Sequence, residues 1–325
     1  MRRREFIAGL GGAAAWPVVA RAQQSALPVI GFVNGGSADG FASRVAAFRK
    51  GLGEAGYVED QNVTVEYHYL EGQLDRLPAL MTDLVRRHVA VIATPGTAAG
   101  AIAAKAATAT IPIVFGLGED PIKLGLVASF ARPGGNATGV NFFTVEVIAK
   151  RLALLHALVP KAERIAVLVN PAENTETILR EVREAARAIG LRIQILNAST
   201  NGEIDTAFAA LARERSDALF VFADQFLSSR RVQLATLAAR DRVPAAYAFR
   251  EYVAVGGLMS YAADIVDGYR QAGVYTVRIL KGEKPADLPV VQSTKFEFVI
   301  NLTTAKALGI TIPETLLAIA DEVIQ

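Results

Sequence analysis

Leu27-Pro28-Val29-Ile30-Gly31-Phe32-Val33 runs straight into Asn34-Gly35-Gly36-Ser37, and Phe41, Val45, Phe48 and Leu52 follow at helical spacing. A short apolar run closed by a polar, glycine-rich loop reads as a buried strand. Apolar residues three and four apart read as one face of a helix, here expected over about 41–55. The alternation then repeats, with strands at 63–69, 89–93 and 113–116 and helices at 74–87 and 98–107. Strand and helix in turn predict parallel sheet, because a parallel neighbour is reached only by a crossover long enough to hold a helix. After the fourth strand comes Glu119-Asp120-Pro121, and then the turn-rich break Ala131-Arg132-Pro133-Gly134-Gly135-Asn136.

A second series begins with a helix at 145–158. Strands at 164–169, 192–197, 218–223, 245–248 and 258–261 follow, with helices at 175–189, 204–214 and 227–241 between the earlier ones. Helix 265–281 stops at Gly282, a residue suited to a C-terminal cap. Beyond it an extended stretch from Leu288 to Ile300 leads to short helices near 303–308 and 315–323. The two series match in order and spacing without sequence repetition, so the expected fold class is α/β, with two doubly wound parallel-sheet lobes and a ligand cleft between them. No Ser- or Gln-rich linker separates them, and hinge strands are expected near 140–143, 261–264 and 286–291. The lobes are thus 26–141 plus 263–287 and 142–262 plus 288–325.

The N-terminus reads differently. Arg2-Arg3-Arg4 precedes an apolar, Gly/Ala-rich run that ends at Ala20-Arg21-Ala22. A basic head, a short apolar middle and a small-x-small ending are the marks of a cleaved secretory signal, and the paired arginines resemble the twin-arginine export signal. The run falls short of the ~20 residues that span a bilayer, and Pro17 interrupts it. Cleavage after Ala22 would remove four arginines and one glutamate, lowering the formal charge by three, from +2 to −1. The mature chain would then lack the basic footprint of a nucleic-acid binder. With no cysteine in the sequence there is no disulfide, no thiolate metal site and no lipid-anchored cysteine. A freely diffusing periplasmic monomer without direct membrane insertion is expected.

No motif commits the chain to catalysis or to a cofactor. Gly9-Leu10-Gly11-Gly12 follows no strand, no Walker loop or Gly-x-Ser-x-Gly elbow occurs, and His68, His88 and His156 lack zinc-ligand spacing. Glu119 and Asp120 are adjacent carboxylates at a strand end, where Asp120-Pro121 also fits a plain turn. Strand-end loops suit holding a ligand better. Ser37, Thr94 and Thr97, with free N–H groups where helices open, can receive a carboxylate, and Ser37 and Thr97 can equally cap their helices. Asp224 ends the apolar strand Ala218-Leu219-Phe220-Val221-Phe222-Ala223, where it can meet a ligand ammonium or cap helix 227–241. Tyr247, Phe249 and Tyr261 are candidates for an aromatic wall.

Three further stretches carry a resemblance: Ala107-Thr108-Ala109-Thr110-Ile111-Pro112-Ile113-Val114-Phe115, Arg132-Pro133-Gly134-Gly135-Asn136-Ala137-Thr138-Gly139 and Gly256-Gly257-Leu258-Met259-Ser260-Tyr261. Ile279 to Pro289 and Asn301 to Gly309 extend it. Together they resemble the ABC-transporter substrate-binding proteins related to the tryptophan- and tyrosine-binding proteins, of type I periplasmic-binding fold. The resemblance implies a receptor that closes on one small molecule, an amino acid or related carboxylate, and delivers it to an ABC permease. By position it implies cleft roles for Gly36, Ser37, Thr94, Gly96, Thr97, Asp120, Asn170 and Asp224. The family usually continues Ser-Tyr with glycine, whereas Ala262 follows Tyr261 here. A receptor serving a membrane sensor and an exported α/β enzyme are the alternatives. Neighbouring permease genes distinguish the first, and turnover of a ligand the second.

Overall fold

The computed structural model describes residues 27–171 and 175–325, so the expected export signal at 1–22 lies outside the described residues. In chain order the elements are β1 (Val29–Asn34), α1 (Ala42–Glu54), β2 (Thr64–Tyr69), α2 (Leu77–Arg86), β3 (Val91–Pro95), α3 (Ala98–Ala107), β4 (Ile113–Leu117) and β5 (Ala137–Asn141). The chain continues through α4 (Ile148–Leu158), β6 (Arg164–Val169), α5 (Glu176–Ala188), β7 (Arg192–Asn197), α6 (Asn201–Glu214), β8 (Ala218–Val221), α7 (Gln225–Ser229), α8 (Arg231–Arg240) and β9 (Ala245–Tyr247). Last come α9 (Arg250–Val253), β10 (Met259–Ala263), α10 (Ile265–Leu280), β11 (Val291–Gln292), β12 (Phe296–Asn301), α11 (Leu302–Leu308), α12 (Glu314–Leu317) and β13 (Glu322–Ile324).

Two sheets result, ordered β11-β5-β4-β3-β1-β2 and β13-β12-β10-β9-β8-β6-β7. Every pairing in the first is parallel, and in the second only β10 with β12 runs antiparallel. Central strands β3, β4 and β8 are buried at every position, as expected of parallel strands covered by helices on both faces. The chain passes between the sheets after β5, after β10 and between β11 and β12.

The first lobe is closed by α10, which returns from the second sheet and crosses α1. A Cβ on Gly273 would collide with the carbonyl oxygen of Phe48, and one on Gly51 with that of Arg270. The two helices therefore approach backbone to backbone, which only glycine permits. Gly273→Ala should lower stability by about 1–3 kcal/mol through overpacking. A melting curve without a lowered midpoint would show that the helices can separate at little cost.

Three expectations are corrected by the structure. Residues 137–141 form β5, a strand that the turn-rich sequence before it conceals because Ala-Thr-Gly-Val-Asn has little apolar mass. Gly139 is there because the β4 backbone at Phe115 leaves no room for a Cβ. The third crossing lies at 293–295 rather than 286–291. Thr138 Oγ1 donates to the Leu288 carbonyl at 2.7 Å, and β11 pairs with β5, so 288–292 belong with the first sheet. The helix expected over 315–323 is limited to α12, because Asp321 exchanges bonds with the Phe298 backbone and draws the chain end onto β12 as β13.

Candidate functional site

The carboxyl ends of the strands in both sheets face one another, and the loops leaving them form the site. From the first lobe come the loops after β1, β3 and β4. From the second come the residues after β6, β8 and β9, with Phe142 and Thr144 from the first crossing. An inner cavity of about 40 Å³ lies between the lobes, lined by Arg44, Gly96, Ala98, Gly118, Glu119, Phe142, Thr144, Phe222, Asp224, Gln225, Ser228, Phe249 and neighbouring atoms. That is room for a few waters, so the lobes are closed on one another. A molecule of amino-acid size enters only if they part.

Side chains from each lobe hold the closed arrangement. Gln225, at the start of α7, accepts from the Gly35 N–H and donates to the Pro95 carbonyl at 3.1 Å and to the Tyr269 hydroxyl at 3.3 Å. Tyr269 itself donates to Pro95 O at 2.7 Å. A Cβ on Gly35 or Gly96 would collide with the Gln225 amide, so both glycines are cleared for it. Arg44 of α1 pairs with Glu251 of α9 at 2.9 Å, its guanidinium lying 4.9 Å from the Phe41 ring centre and 4.5 Å from that of Phe249. Burial alone would raise the Glu251 carboxyl, but the Arg44 charge overrides it and holds Glu251 below its ordinary range. Arg231 adds a third link, to the Gly40 carbonyl at 2.9 Å.

Asp224 combines the two roles open to it in the sequence. Its Oδ1 accepts from the Leu227 N–H at 2.7 Å, capping the short α7 rather than a helix starting at 227, and its Oδ2 accepts from Asn170 Nδ2 at 3.3 Å. It also lines the cavity, and burial pushes its carboxyl up to about 6 against those stabilising hydrogen bonds. Among the described residues no cation pairs with it. Glu119 is raised as well, first by burial and then by repulsion from Glu146 and Asp224.

The other expected residues fall into three groups. Gly96 lines the cavity, and Asn170 acts through Asp224. Gly36, Ser37, Thr94 and Thr97 build the loops behind it. The Gly36 N–H donates to Asn34 Oδ1 at 2.8 Å, Ser37 Oγ accepts from Gly40 N at 3.3 Å, and Thr97 Oγ1 caps α3 through Gly100 N at 3.3 Å. Thr94 is fully buried, and its hydroxyl has no partner among the described residues. Asp120 accepts from Ile122 N at 2.8 Å as a turn former and lies outside the inner cavity. Tyr247 and Tyr261 do not form the expected aromatic wall. Tyr247 stacks on Tyr252 at 4.6 Å in the core, and Tyr261 stacks on Phe296 at 6.1 Å along β10. Phe249, the third aromatic expected there, does line the cavity, together with Phe142 and Phe222. Arg44 is absent from the residues expected at the site, although a signal exists: it follows Phe41 by three residues and so sits on the apolar face of its helix.

A family model described as ABC transporter substrate binding protein matches residues 27–324. A tyrosine-binding protein of Clostridioides difficile (strain R20291) is 28% identical over 265 residues, covering 80% of this chain and 75% of that protein. Among solved structures, the ABC domain from Streptococcus pneumoniae in complex with L-Trp matches with a TM-score of 0.81 at 28% identity, over 92% of this chain and 100% of that one. A conserved domain protein from Vibrio cholerae matches with a TM-score of 0.82 at 27% identity, over 91% of this chain and 99% of that one.

Proposed function

Because the chain belongs to the ABC transporter substrate-binding proteins, we propose that it captures an amine-bearing small molecule of the amino-acid class between its lobes and hands it, unchanged, to an ABC permease. The observation that carries this reading is Asp224: a buried carboxylate, lining the cavity where the two lobes meet, with no cation paired to it among the described residues. An ammonium group supplies the missing charge. The signal-like residues 1–22 support action in the periplasm, and no helix among the described residues is long and apolar enough to cross a membrane.

Closure on a ligand would swing the lobes about the three crossings, near 142–147, 264 and 293–295. Solution scattering should show a smaller radius of gyration at ligand saturation than in free protein, with L-tyrosine and L-tryptophan as the first probes and calorimetry to establish saturation. Saturation without any change in radius would remove hinge closure. Conversion of the probe into another compound would remove the binding-protein reading.

A further inference from the structure

The inner cavity carries more negative charge than one ammonium needs. Asp224 and Glu119 both line it, and Arg44, the cation beside them, is committed to Glu251. Glu119 and Ala98 also line a second, outer space of about 690 Å³ between α3 of the first lobe and α4 and α5 of the second. Glu119 therefore stands where the inner cavity meets the outer groove. Asp120, Glu146 and Glu181 continue the acidic track along that groove, with Lys123 as the counter-charge. Burial, and then the charges of Asp120 and Glu181, raises Glu146 against the opposing pull of Lys123. The walls between these acids are apolar, including Ile102, Ile148 and Leu124.

We infer that the ligand carries two cationic centres joined by an apolar spacer, as in a basic amino acid or a linear diamine, with one centre at Asp224 and the other at Glu119. The inference rests on the reading of the cleft as a capture site and specifies its substrate class. A ligand with a single ammonium satisfies Asp224 and leaves the Glu119 carboxylate with the Gly118 N–H at 3.2 Å but no cation among the described residues, at a position where burial already disfavours its charge, whereas a second cation supplies the opposite charge. Methylene groups between the centres can lie against Ala98, Phe142 and Phe222, which line the inner cavity with both acids.

Calorimetric titration of the mature protein with matched pairs tests this: cadaverine against pentylamine, and L-lysine against L-norleucine, with L-tyrosine and L-tryptophan alongside. Each dication should bind at least about tenfold more tightly than its single-charge partner, in line with ~1.4 kcal/mol from one added charge-assisted contact. Glu119→Gln should shrink that ratio below about threefold, because the dications lose their second partner and the single-charge ligands no longer face an uncompensated carboxylate. Equal affinity within the pairs, or a ratio that Glu119→Gln does not alter, overturns the inference. Binding of L-tyrosine or L-tryptophan without any preference for dications overturns it and leaves the capture function standing. Failure of every probe to bind folded protein counts against both.

Discussion

Asp224→Asn should weaken capture of an amine ligand by roughly ten- to a hundredfold and at the same time raise the melting temperature of the ligand-free protein near pH 7.5. The weaker capture follows from losing a charge-assisted hydrogen bond, about 1.5–3 kcal/mol, at 1.4 kcal/mol per decade. The effect on stability has the opposite sign because the carboxylate is unfavourable in the empty cleft. Burial raises its folded-state value from 3.8 to about 6. A carboxyl raised in this way contributes stability that is fully present below its unfolded value and is lost as pH rises through about 6. Above that pH the buried charge carries a penalty on the order of 3 kcal/mol, which an approaching ammonium relieves. The ligand-free melting temperature should therefore fall between about pH 4 and 7, and affinity for an amine should strengthen by up to about tenfold per pH unit across roughly pH 5 to 6. Asparagine keeps an acceptor for the Leu227 N–H, so the cap of α7 survives while the charge and the acceptor for Asn170 are lost. An unaltered dissociation constant in Asp224→Asn, with a lowered melting temperature in Asp224→Ala, would assign Asp224 to the helix cap.

The same residue illustrates what the sequence can disclose. A single charge ending a six-residue apolar strand has few places to go, and in a doubly wound sheet the end of a strand is a cleft position. The α3, β6 and β7 segments are equally plain, because each is an uninterrupted run of one periodicity, and the expected bounds 98–107, 164–169 and 192–197 are those of the structure. β5 is hidden, since its Gly139 answers to the neighbouring backbone at Phe115 rather than to any local pattern. Tyr247 misleads for a related reason. Its position on β9 is near the cleft along the chain, but the ring turns to Tyr252 and the core, and side-chain direction on so short a strand depends on packing from α9. Gln225 could not be read as a link between lobes at all, because its partners Gly35, Pro95 and Tyr269 are distant in sequence and are brought to it only by closure.

Closure should be governed most strongly by the Arg44–Glu251 pair, and Arg44→Ala should shift the open-to-closed equilibrium toward the open form and weaken ligand binding by about ten- to a hundredfold. In the closed form Arg44 is almost wholly buried, so the pair lies in a medium where a charge left alone is costly. Deleting a buried partner typically costs about 3–5 kcal/mol when the other charge stays in place. Here the protein has an escape, because parting the lobes returns Glu251 to water. The penalty therefore appears chiefly as a shift in the open-to-closed equilibrium, and every ligand that requires the closed form loses affinity by the fraction no longer competent to hold it. Loss of the guanidinium between Phe41 and Phe249 acts in the same direction, adding about 0.5–2 kcal/mol. Adding Glu251→Gln to Arg44→Ala should restore part of the affinity, since no unpaired charge then opposes closure, whereas two independent packing losses would simply add. Scattering and calorimetry on the two single variants and the double variant measure both effects. An unchanged radius of gyration and dissociation constant in Arg44→Ala would leave Gln225, with its bonds to Gly35 and Pro95, as the contact that holds the lobes together.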